Sequence, residues 1–410
     1  MQRLSAVMRS AAVLLTLAAI PLAVDPPAPA AAQTAPATQE IRIGYIRVVE
    51  KGRITLSVLD APPADDGFAG AKVAINDNNT TGKFLKQSFI LEDVELAPGD
   101  DPIPAVDKLL GEGARFLVTD VPADDLLKIA DHVKGKGVLV FNAGALDDSL
   151  REENCRANVI HTAPTRSILA DGLAQYLVWK QWRNWFLVEG TNPNDKLWAS
   201  AIKRAAERFG AKIVAEKEFA DTGGSRQTDS GYAQVQKQIP IFTQDSPDYD
   251  VLVTADESEV FSTYFPYRTW LPRPVAGSSG LIPSSWHPSF EGWGAAQIQN
   301  RFQKSSGRRM RDKDMQAWTA VRMIGEAATR TRSTEEKAIE DFIKAPDFSL
   351  AAFKGQKVTL RDWNWQLRQP VLLADHATVV SISPQEGFLH QFSVLDTLGI
   401  DRPETTCVFK

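Results

Sequence analysis

The sequence predicts an α/β protein with two lobes, each built around a parallel sheet, that face each other across a cleft. After about residue 40, short apolar segments of strand length alternate with amphipathic segments of helix length, which is typical of βαβ units. The alternation starts again near residue 161 without a long linker. With 410 residues and a hydrophobic content of 43%, the chain can fill two packed cores.

The first round of this alternation predicts four strands and three helices. Short apolar strands between amphipathic helices indicate a sheet that is covered on both faces. Pro102 stands near the start of the second helix, where its missing N–H costs no hydrogen bond. The predicted strands are 41–48, 86–94, 114–120 and 138–144, and the predicted helices are 66–79, 101–113 and 122–137.

A polar segment follows the first of these helices. Asn78, Asn79 and Gly82 tolerate left-handed backbone, so they predict that the helix ends here. The segment also matches the start of an EF-hand calcium loop, but its twelfth position is Ser88 where that loop needs glutamate. We therefore expect a helix end followed by a turn, with no metal chemistry.

The second round predicts another lobe of similar size, followed by further helices and hairpins. Pro240 interrupts the third helix of this round. The predicted strands are 184–190, 211–220, 249–256 and 273–280, and the predicted helices are 165–180, 195–210, 230–244 and 257–270. Beyond them we expect a long amphipathic helix at 311–331, a short helix at 335–345, β-rich hairpins over 354–384 and a polar tail.

The N-terminus predicts export. A basic start precedes an apolar run and small residues, so we expect a signal peptide over 1–32, cut after Ala32, and a disordered leader over 33–39. A retained membrane anchor is the alternative, but Pro21 and Asp25 break a run that is already short of a ~20-residue span. The absence of Cys near the cut excludes a lipid anchor on a new N-terminal Cys.

The chain has only two cysteines, Cys155 and Cys407. An exported compartment permits a disulfide between them, which would tie the C-terminal tail to the middle of the chain. The alternative is two separate thiols, one of them in a frayed tail. Two cysteines so far apart are not a zinc pattern, so no metal site is predicted.

The sequence has few signatures of catalysis or nucleic-acid binding. The five histidines show no metal-binding spacing, and the sequence has no G-x-S-x-G elbow and no P-loop. The net charge is −5 and no long Lys/Arg run is present, so nucleic acid is not an expected partner. The charged segment 305–314 is expected to be a solvated loop, with partner docking as the alternative.

Polar residues follow the predicted strands of both lobes. In open parallel sheets ligands bind beyond the carboxyl ends of the strands, so these positions are candidates for a small polar ligand. The alternative for each Asp or Asn is an ordinary helix N-cap. The candidate ligand-binding residues are Asp120, Asn142, Ala143, Gly144, Thr191, Asn192, Asn194, Asp256, Ser278, Ser279 and Trp286.

Several motifs carry a family resemblance over roughly residues 40–400. The segments "GAKVAINDNN", "HTAPTRSILADGLAQYL" and "WTAVRMIGEAATRT" resemble the type I periplasmic binding proteins of the leucine/isoleucine/valine class, which are solute receptors of ABC transporters. The C-terminal block from "FKGQKVTLRDWNWQLRQP" to "FSVLDTLG" resembles the subgroup associated with PQQ-dependent alcohol dehydrogenase systems.

This resemblance implies a non-enzymatic, periplasmic protein without a cofactor, made of two Rossmann-like lobes joined by three crossover strands. The crossings are expected near 158–163, 274–280 and 345–375. Lobe 1 is expected to comprise 41–160 and 281–350, lobe 2 is 161–275, and 351–410 forms hairpins and a tail that span the hinge. The implied partners are a small-molecule ligand, an ABC permease in the inner membrane and a periplasmic PQQ-dependent dehydrogenase.

One departure from the family pattern bears on the ligand. The Ser/Thr-rich loop that holds the ligand carboxylate in amino-acid receptors is replaced here by "TDVPADD", with Asp120 at the strand end. A ligand carboxylate beside Asp120 and Asp256 would be repelled unless a cation or proton intervened. We therefore expect a neutral or cationic ligand.

Two functions remain open at this point. The first is an exported solute receptor that delivers its ligand to a permease. The second is a periplasmic accessory or sensor protein of a PQQ-dependent alcohol dehydrogenase system, without transport. A hydrolase is the weakest alternative, since no nucleophile–base pattern is present.

Overall fold

The computed structural model describes residues 38–49, 61–220 and 229–410. The signal peptide expected over 1–32 lies outside these residues. Within the described ranges, no helix has the length and apolar content that crossing a membrane requires.

Strands and helices alternate along the chain as the sequence predicts, and most predicted elements are present. The strands are β1 (Gln39–Val48), β2 (Gln87–Leu96), β3 (Phe116–Asp120), β4 (Leu139–Asn142), β5 (Val159–His161), β6 (Asn184–Gly190), β7 (Lys212–Phe219), β8 (Val251–Ala255), β9 (Val275–Gly277), β10 (Ile282–Ser284), β11 (Leu350–Ala351), β12 (Lys357–Leu360), β13 (Leu367–Arg368), β14 (Val371–Ala374) and β15 (Val379–Ser383). The helices are α1 (Phe68–Leu85), α2 (Ile103–Gly111), α3 (Ala123–Val133), α4 (Arg166–Trp179), α5 (Pro193–Phe209), α6 (Asp229–Gln244), α7 (Ala295–Ser306), α8 (Asp312–Thr331) and α9 (Glu336–Lys344).

Two parallel sheets form the centres of two lobes. The first sheet has the strand order β2-β1-β3-β4-β5, and the second has the order β7-β6-β8-β9. All neighbouring strands in both sheets run parallel. The predicted α/β fold with parallel sheets in two lobes is therefore confirmed.

Alternation along the strands divides each lobe into two apolar layers. In β1, Ile43 and Tyr45 face a core shared with α1 and α8, whereas Ile46 faces the core under α2 and α3. In β6, Trp185 packs against α4 and α5, and Phe186 faces the opposite layer. Both faces of each sheet are thus buried, which explains the near-continuous apolar strands.

Helix α1 passes through the corner at which the sequence predicts its end. It continues to Leu85, and Lys86 in left-handed backbone follows it. Asn78 is buried and donates to the Val321 carbonyl of α8 at 2.9 Å. A Cβ atom on Gly82 would lie 2.6 Å from the Gln87 carbonyl oxygen. Asn78 and Gly82 thus allow α1 to pack closely against α8 and the start of β2, so the predicted helix end was wrong.

The predicted helix at 257–270 is also wrong, because only a short 3₁₀ turn at Ser262–Tyr264 forms there. The preceding residue, Asp256, accepts backbone N–H bonds from Val260, Phe261 and Ser262. These bonds fix residues 256–262 in a turn, so a regular helix does not begin at residue 257. Two elements that the sequence analysis missed, β10 and α7, follow β9.

The C-terminal hairpins connect the two lobes. Side chains alternate across β14, so Leu372 lies in the core of the first lobe, while Val371 and Leu373 lie in the core of the second. β14 also pairs with β10, which carries the chain from β9 toward α7. With the passage from β5 to α4, the chain therefore crosses between the lobes three times.

The C-terminal tail is fastened to the middle of the chain. Cys155 and Cys407 form a disulfide with their Cα atoms 5.7 Å apart. The buried carboxylate of Glu152 accepts the Thr406 N–H at 2.6 Å and the Thr405 hydroxyl at 3.1 Å. The pairing that the sequence left open is therefore present, and the tail is not frayed.

We expect Cys407→Ser to lower the free energy of unfolding by about 2–5 kcal/mol, because the disulfide closes a loop of 252 residues in the unfolded chain. Urea unfolding of the mature protein measures this difference. Reduced wild-type protein is the matched control and should unfold at the same urea concentration as the variant. Equal stability of the oxidised wild type and the variant would contradict the expectation.

Candidate functional site

The carboxyl ends of the two sheets meet near the start of α4. The Arg166 guanidinium donates to both carboxylate oxygens of Glu257, which follows β8, at 2.7 and 2.8 Å. Arg166 also lies 3.3 Å from a carboxylate oxygen of Asp147, which follows β4. Burial raises the pKa of Glu257, although Arg166 opposes the shift. One buried cation therefore links the strand-end corners of both lobes.

Asp120 lies at the carboxyl end of β3, and its carboxylate is paired. Both of its oxygens accept from the Lys313 ammonium, at 2.9 and 3.0 Å. Burial is the largest single effect and acts to lower the pKa of Lys313, but Asp120 and Asp66 together raise it. A cation thus stands beside Asp120 and pairs with both of its carboxylate oxygens.

Local geometry explains why this pair forms. In the register of β1 and β3, Tyr45 faces Val118 and Arg47 faces Asp120, so Tyr45 and Asp120 project to the same face of the sheet. That face is covered by α1 and α8. The first residues of α8 include Lys313, which therefore reaches the end of β3.

The Tyr45 hydroxyl is the most notable polar atom at this edge. Tyr45 is fully buried, and its hydroxyl has no hydrogen-bond partner among the residues that the structure describes. A Cβ atom on Gly67 would lie 2.3 Å from this oxygen, so glycine is needed at the entry to α1. Burial raises the pKa of Tyr45 well above its usual value, and Asp120 adds to the shift.

Asp66 stands next to Gly67 and also has an unused oxygen. Its Oδ1 atom is buried, and within the described ranges it has no hydrogen-bond partner. Burial raises the pKa of Asp66 to about 6, against the opposing effect of Arg311. Tyr45 and Asp66 thus offer one unused donor and one unused acceptor at the carboxyl edge of the first sheet.

The charged segment 305–314 helps to build this edge. Arg308 donates to Asp314 at 2.7 Å and to Asp65 at 2.8 Å. Burial opposes these ion pairs, but they raise the pKa of Arg308 above its usual value. Because Met310 is also fully buried, the expectation of a solvated loop was wrong for these two residues.

The corner after β4 uses most of its polar groups internally. The Asn142 side chain accepts the N–H groups of Gly144 and Ala145 at 3.2 and 2.9 Å and donates to the Ala145 carbonyl at 2.8 Å. The Ala143 N–H donates to the Thr119 carbonyl at 2.9 Å. Asn142, Ala143 and Gly144 therefore shape the corner, and a ligand contact from them stays a prediction.

In the corner after β6, one candidate residue caps a helix and two others are exposed to solvent. Asn192 is the N-cap of α5, and its N–H donates to Asp195 at 3.1 Å, which matches the N-cap alternative. Thr191 and Asn194 are exposed. They are free to reach a ligand, and that role stays a prediction.

Asp256 is buried and satisfied by three backbone N–H groups, so it serves the turn that follows β8. The Ser278 hydroxyl accepts the Asp256 N–H at 2.9 Å. Ser279 differs, because its buried hydroxyl finds no hydrogen-bond partner in the described part of the chain. Both carboxylate oxygens of Asp256 are thus used by its own loop, and repulsion of a ligand carboxylate by Asp256 stays a prediction.

Trp286 lies in the core of the first lobe and does not form an aromatic wall of a cleft. Its ring packs edge-on against Phe290, with the centroids 5.5 Å apart. Four residues of these sheet edges were not predicted from the sequence, namely Tyr45, Asp66, Lys313 and Arg166. One signal was available for Lys313, because a lysine in the first turn of a helix opposes the helix dipole and so needs a nearby anion.

No group of three or more His, Cys, Asp or Glu side chains that could hold a metal ion occurs in the part of the chain that the structure describes. His161 is fully buried, and burial lowers its pKa well below the usual value. The described site is thus made of hydrogen-bonding and charged groups at two facing sheet edges.

These features define the fold of type I periplasmic binding proteins, and comparisons with known proteins agree. The model of the periplasmic binding protein family matches residues 55–238, which is less than half of the chain. A comparison with curated protein sequences finds no significant match.

Solved structures share the fold at low sequence identity. The leucine-, isoleucine-, valine-, threonine- and alanine-binding protein from Brucella ovis is 17% identical, with a TM-score of 0.62 over 91% of this chain and 99% of that one. A branched-chain amino acid ABC transporter ligand-binding protein from Burkholderia xenovorans is 16% identical, with a TM-score of 0.65 over 83% and 95%. A solute-binding protein from R. palustris in complex with benzoate is 12% identical, with a TM-score of 0.62 over 90% and 99%.

We expect Asp66→Asn to raise the free energy of unfolding at pH 7 by about 1–3 kcal/mol. The folded-state pKa of Asp66, about 6, exceeds the ordinary value of 3.8, so ionising the folded protein carries a cost. This cost appears as the pH rises from about 4 to about 6 and is constant above that. Urea unfolding across this pH range should show the gain of the variant vanish near pH 4.

Asp65→Asn is the matched control, because Asp65 is paired with Arg308 and its replacement should give no gain. A stability difference between wild type and Asp66→Asn that does not change with pH would contradict the account.

Proposed function

We propose that the protein is an exported solute-binding receptor of an ABC transporter, which binds a small polar molecule in the cleft between its lobes. Two parallel-sheet lobes with three chain crossings support a hinge that closes on a ligand. The carboxyl ends of both sheets, where ligands of such sheets bind, are linked through Arg166. In this proposal the ligand is delivered to a permease in the inner membrane, without catalysis and without a cofactor.

The observation that carries the proposal is the unpartnered hydroxyl of Tyr45. Burying a polar group without a hydrogen bond costs about 1–3 kcal/mol. Such a cost persists where a function requires the group, and a bound ligand can supply the missing partner. The unused oxygens of Asp66 and Ser279 support the same interpretation in the first and second lobes respectively.

The structural neighbours support the receptor class. Two of them are described as amino-acid or branched-chain amino-acid binding proteins, and a third was solved with benzoate. Because these proteins share at most 17% identity with the chain, their ligands suggest a size class and do not identify the ligand. The expected signal peptide over 1–32 supports a periplasmic location.

A second candidate is an accessory or sensor protein of a PQQ-dependent alcohol dehydrogenase system. It rests on the resemblance of the C-terminal block, and on exposed apolar side chains in that block. Leu389 and Phe392 are 84% and 81% exposed. Exposed apolar residues of this kind favour a protein partner. This function predicts a captured dehydrogenase and no tight small-molecule ligand.

A thermal-shift screen of the mature protein against alcohols, polyols, amines and amino acids tests the first candidate, since a ligand raises the melting temperature by mass action. We expect Tyr45→Phe to gain about 1 kcal/mol of stability and to lose about tenfold in affinity for the ligand found, because the hydroxyl is unpartnered without it.

Tyr249→Phe is the matched control. Tyr249 is also a buried tyrosine, but it precedes β8 at the opposite edge of the second sheet. This variant should keep the affinity of the wild type. Equal affinity of wild type and Tyr45→Phe would contradict a ligand role for Tyr45, and the absence of any ligand together with capture of a dehydrogenase would favour the second candidate.

A further inference from the structure

We infer that Asp120, fixed by Lys313, sets the charge class of the ligand. Its carboxylate occupies the anion position at the first-lobe end of the cleft and so excludes ligands that carry a carboxylate. Replacing Asp120 by asparagine should turn this position into a carboxylate-binding site. The inference rests on the proposed receptor function and deepens it.

The surroundings of Asp120 are suited to an anion. α1 begins at Phe68 and α8 at Asp312, and the N–H groups at helix N-termini favour negative charge. The Gly67 N–H is already used, because it donates to Asp314 at 3.0 Å. The Lys313 ammonium supplies a full positive charge, and its side chain is 46% exposed. Part of this side chain is therefore exposed to a ligand, although burial acts on the ammonium group itself.

Asp120 fills this anion position from within the protein. Both of its oxygens accept from Lys313, at 2.9 and 3.0 Å. A Cβ atom on Gly144 would lie 2.2 Å from Asp120 Oδ1, so the next corner of the sheet packs directly against the carboxylate. The side chain is therefore held in place beside the ammonium.

Asp120 brings negative charge to the place where a second carboxylate would lie. It belongs to a cluster of charged side chains, in which the carboxylates lie among cations, and the members are Asp65, Asp66, Asp120, Asp314, Arg308, Arg311, Lys313 and Arg47, which faces Asp120 across the sheet. A ligand carboxylate placed here would meet like charge. Asparagine at position 120 keeps the size of the side chain, removes one negative charge and leaves the Lys313 charge without its counter-ion.

The same geometry suits a neutral or cationic ligand in the wild-type protein. Lys313 has a third N–H in addition to the two that Asp120 accepts. The Tyr45 hydroxyl and Asp66 Oδ1 are unused. A hydroxyl, carbonyl or amino group can pair with these atoms without bringing a negative charge. The sequence-based expectation of a neutral or cationic ligand thus gains a structural basis that does not need Asp256.

The test is calorimetric titration of the folded mature protein with sodium benzoate and with leucine at neutral pH. Four proteins are compared: wild type, Asp120→Asn, Lys313→Met and the double variant. We expect wild type, Lys313→Met and the double variant to bind neither compound at millimolar concentration. Asp120→Asn should bind at least one of them about tenfold or more tightly than wild type. The double variant controls for Lys313, and circular dichroism checks that each variant is folded.

Tight binding of either carboxylate by the wild type would overturn the inference and leave the receptor function intact. Absence of a gain in folded Asp120→Asn would also overturn it, as would a gain that survives in the double variant. The receptor function itself is judged separately, by the thermal-shift screen of uncharged and cationic compounds against the wild type.

Discussion

Strand β14 belongs to both hydrophobic cores, and the rest of the architecture depends on this. Because successive side chains of a strand point to opposite faces, Leu372 is buried in the first lobe and its two neighbours are buried in the second. The strand cannot leave either core without exposing apolar surface. The lobes are therefore joined through a buried element, and the strand ends of the two sheets are held within reach of each other.

The C-terminal tail adds further contacts between the hairpins that contain β14 and the second lobe. Arg361, next to β12, donates to Asp396 at 3.0 Å. The Gly399 N–H donates to the buried Asp171 of α4 at 2.8 Å, and Asp171 also pairs with Arg204 of α5. Burial raises the pKa of Asp171 to about 6 despite these partners. The tail thus continues from the hairpins onto the two helices that cover the second sheet.

The sheet edges differ in how far their polar groups are satisfied. Asp256 and Asn142 are fully occupied by their own loops. Tyr45 and Asp66 keep unused polar atoms although these atoms are buried. Since buried polar groups in folded proteins are nearly all hydrogen-bonded, these unused atoms support the ligand role that we propose for the edge of the first lobe.

Much of the fold could be predicted from the sequence, because apolar periodicity and strand length reflect burial directly. The strands from 41–48 to 249–256 and the helix at 311–331 were found near their true bounds. The end of α1 was missed because Asn78 and Gly82 serve packing against other elements, which a local pattern does not contain. The prediction of a helix at 257–270 was wrong because the Asp256 carboxylate stabilises a turn there instead.

The candidate site was less predictable for the same reason. The strand-end rule located Asp120, but its partner Lys313 is distant in sequence and reaches it only through the packing of α8. Asp256 and Trp286 had the expected residue types, yet the fold uses one for a turn and the other for a core. The function of a polar residue at a strand end depends on partners that the sequence alone does not identify.

The most direct test of whether the two lobes close around a ligand is a measurement of the distance between the lobes in solution. Spin labels at Asp124, in the first turn of α3, and at the exposed Leu197 of α5 report the separation of the two sheet edges. The account predicts that a ligand found by screening shortens and narrows the distance distribution. An unchanged distribution at saturating ligand would contradict closure of the lobes around a bound molecule.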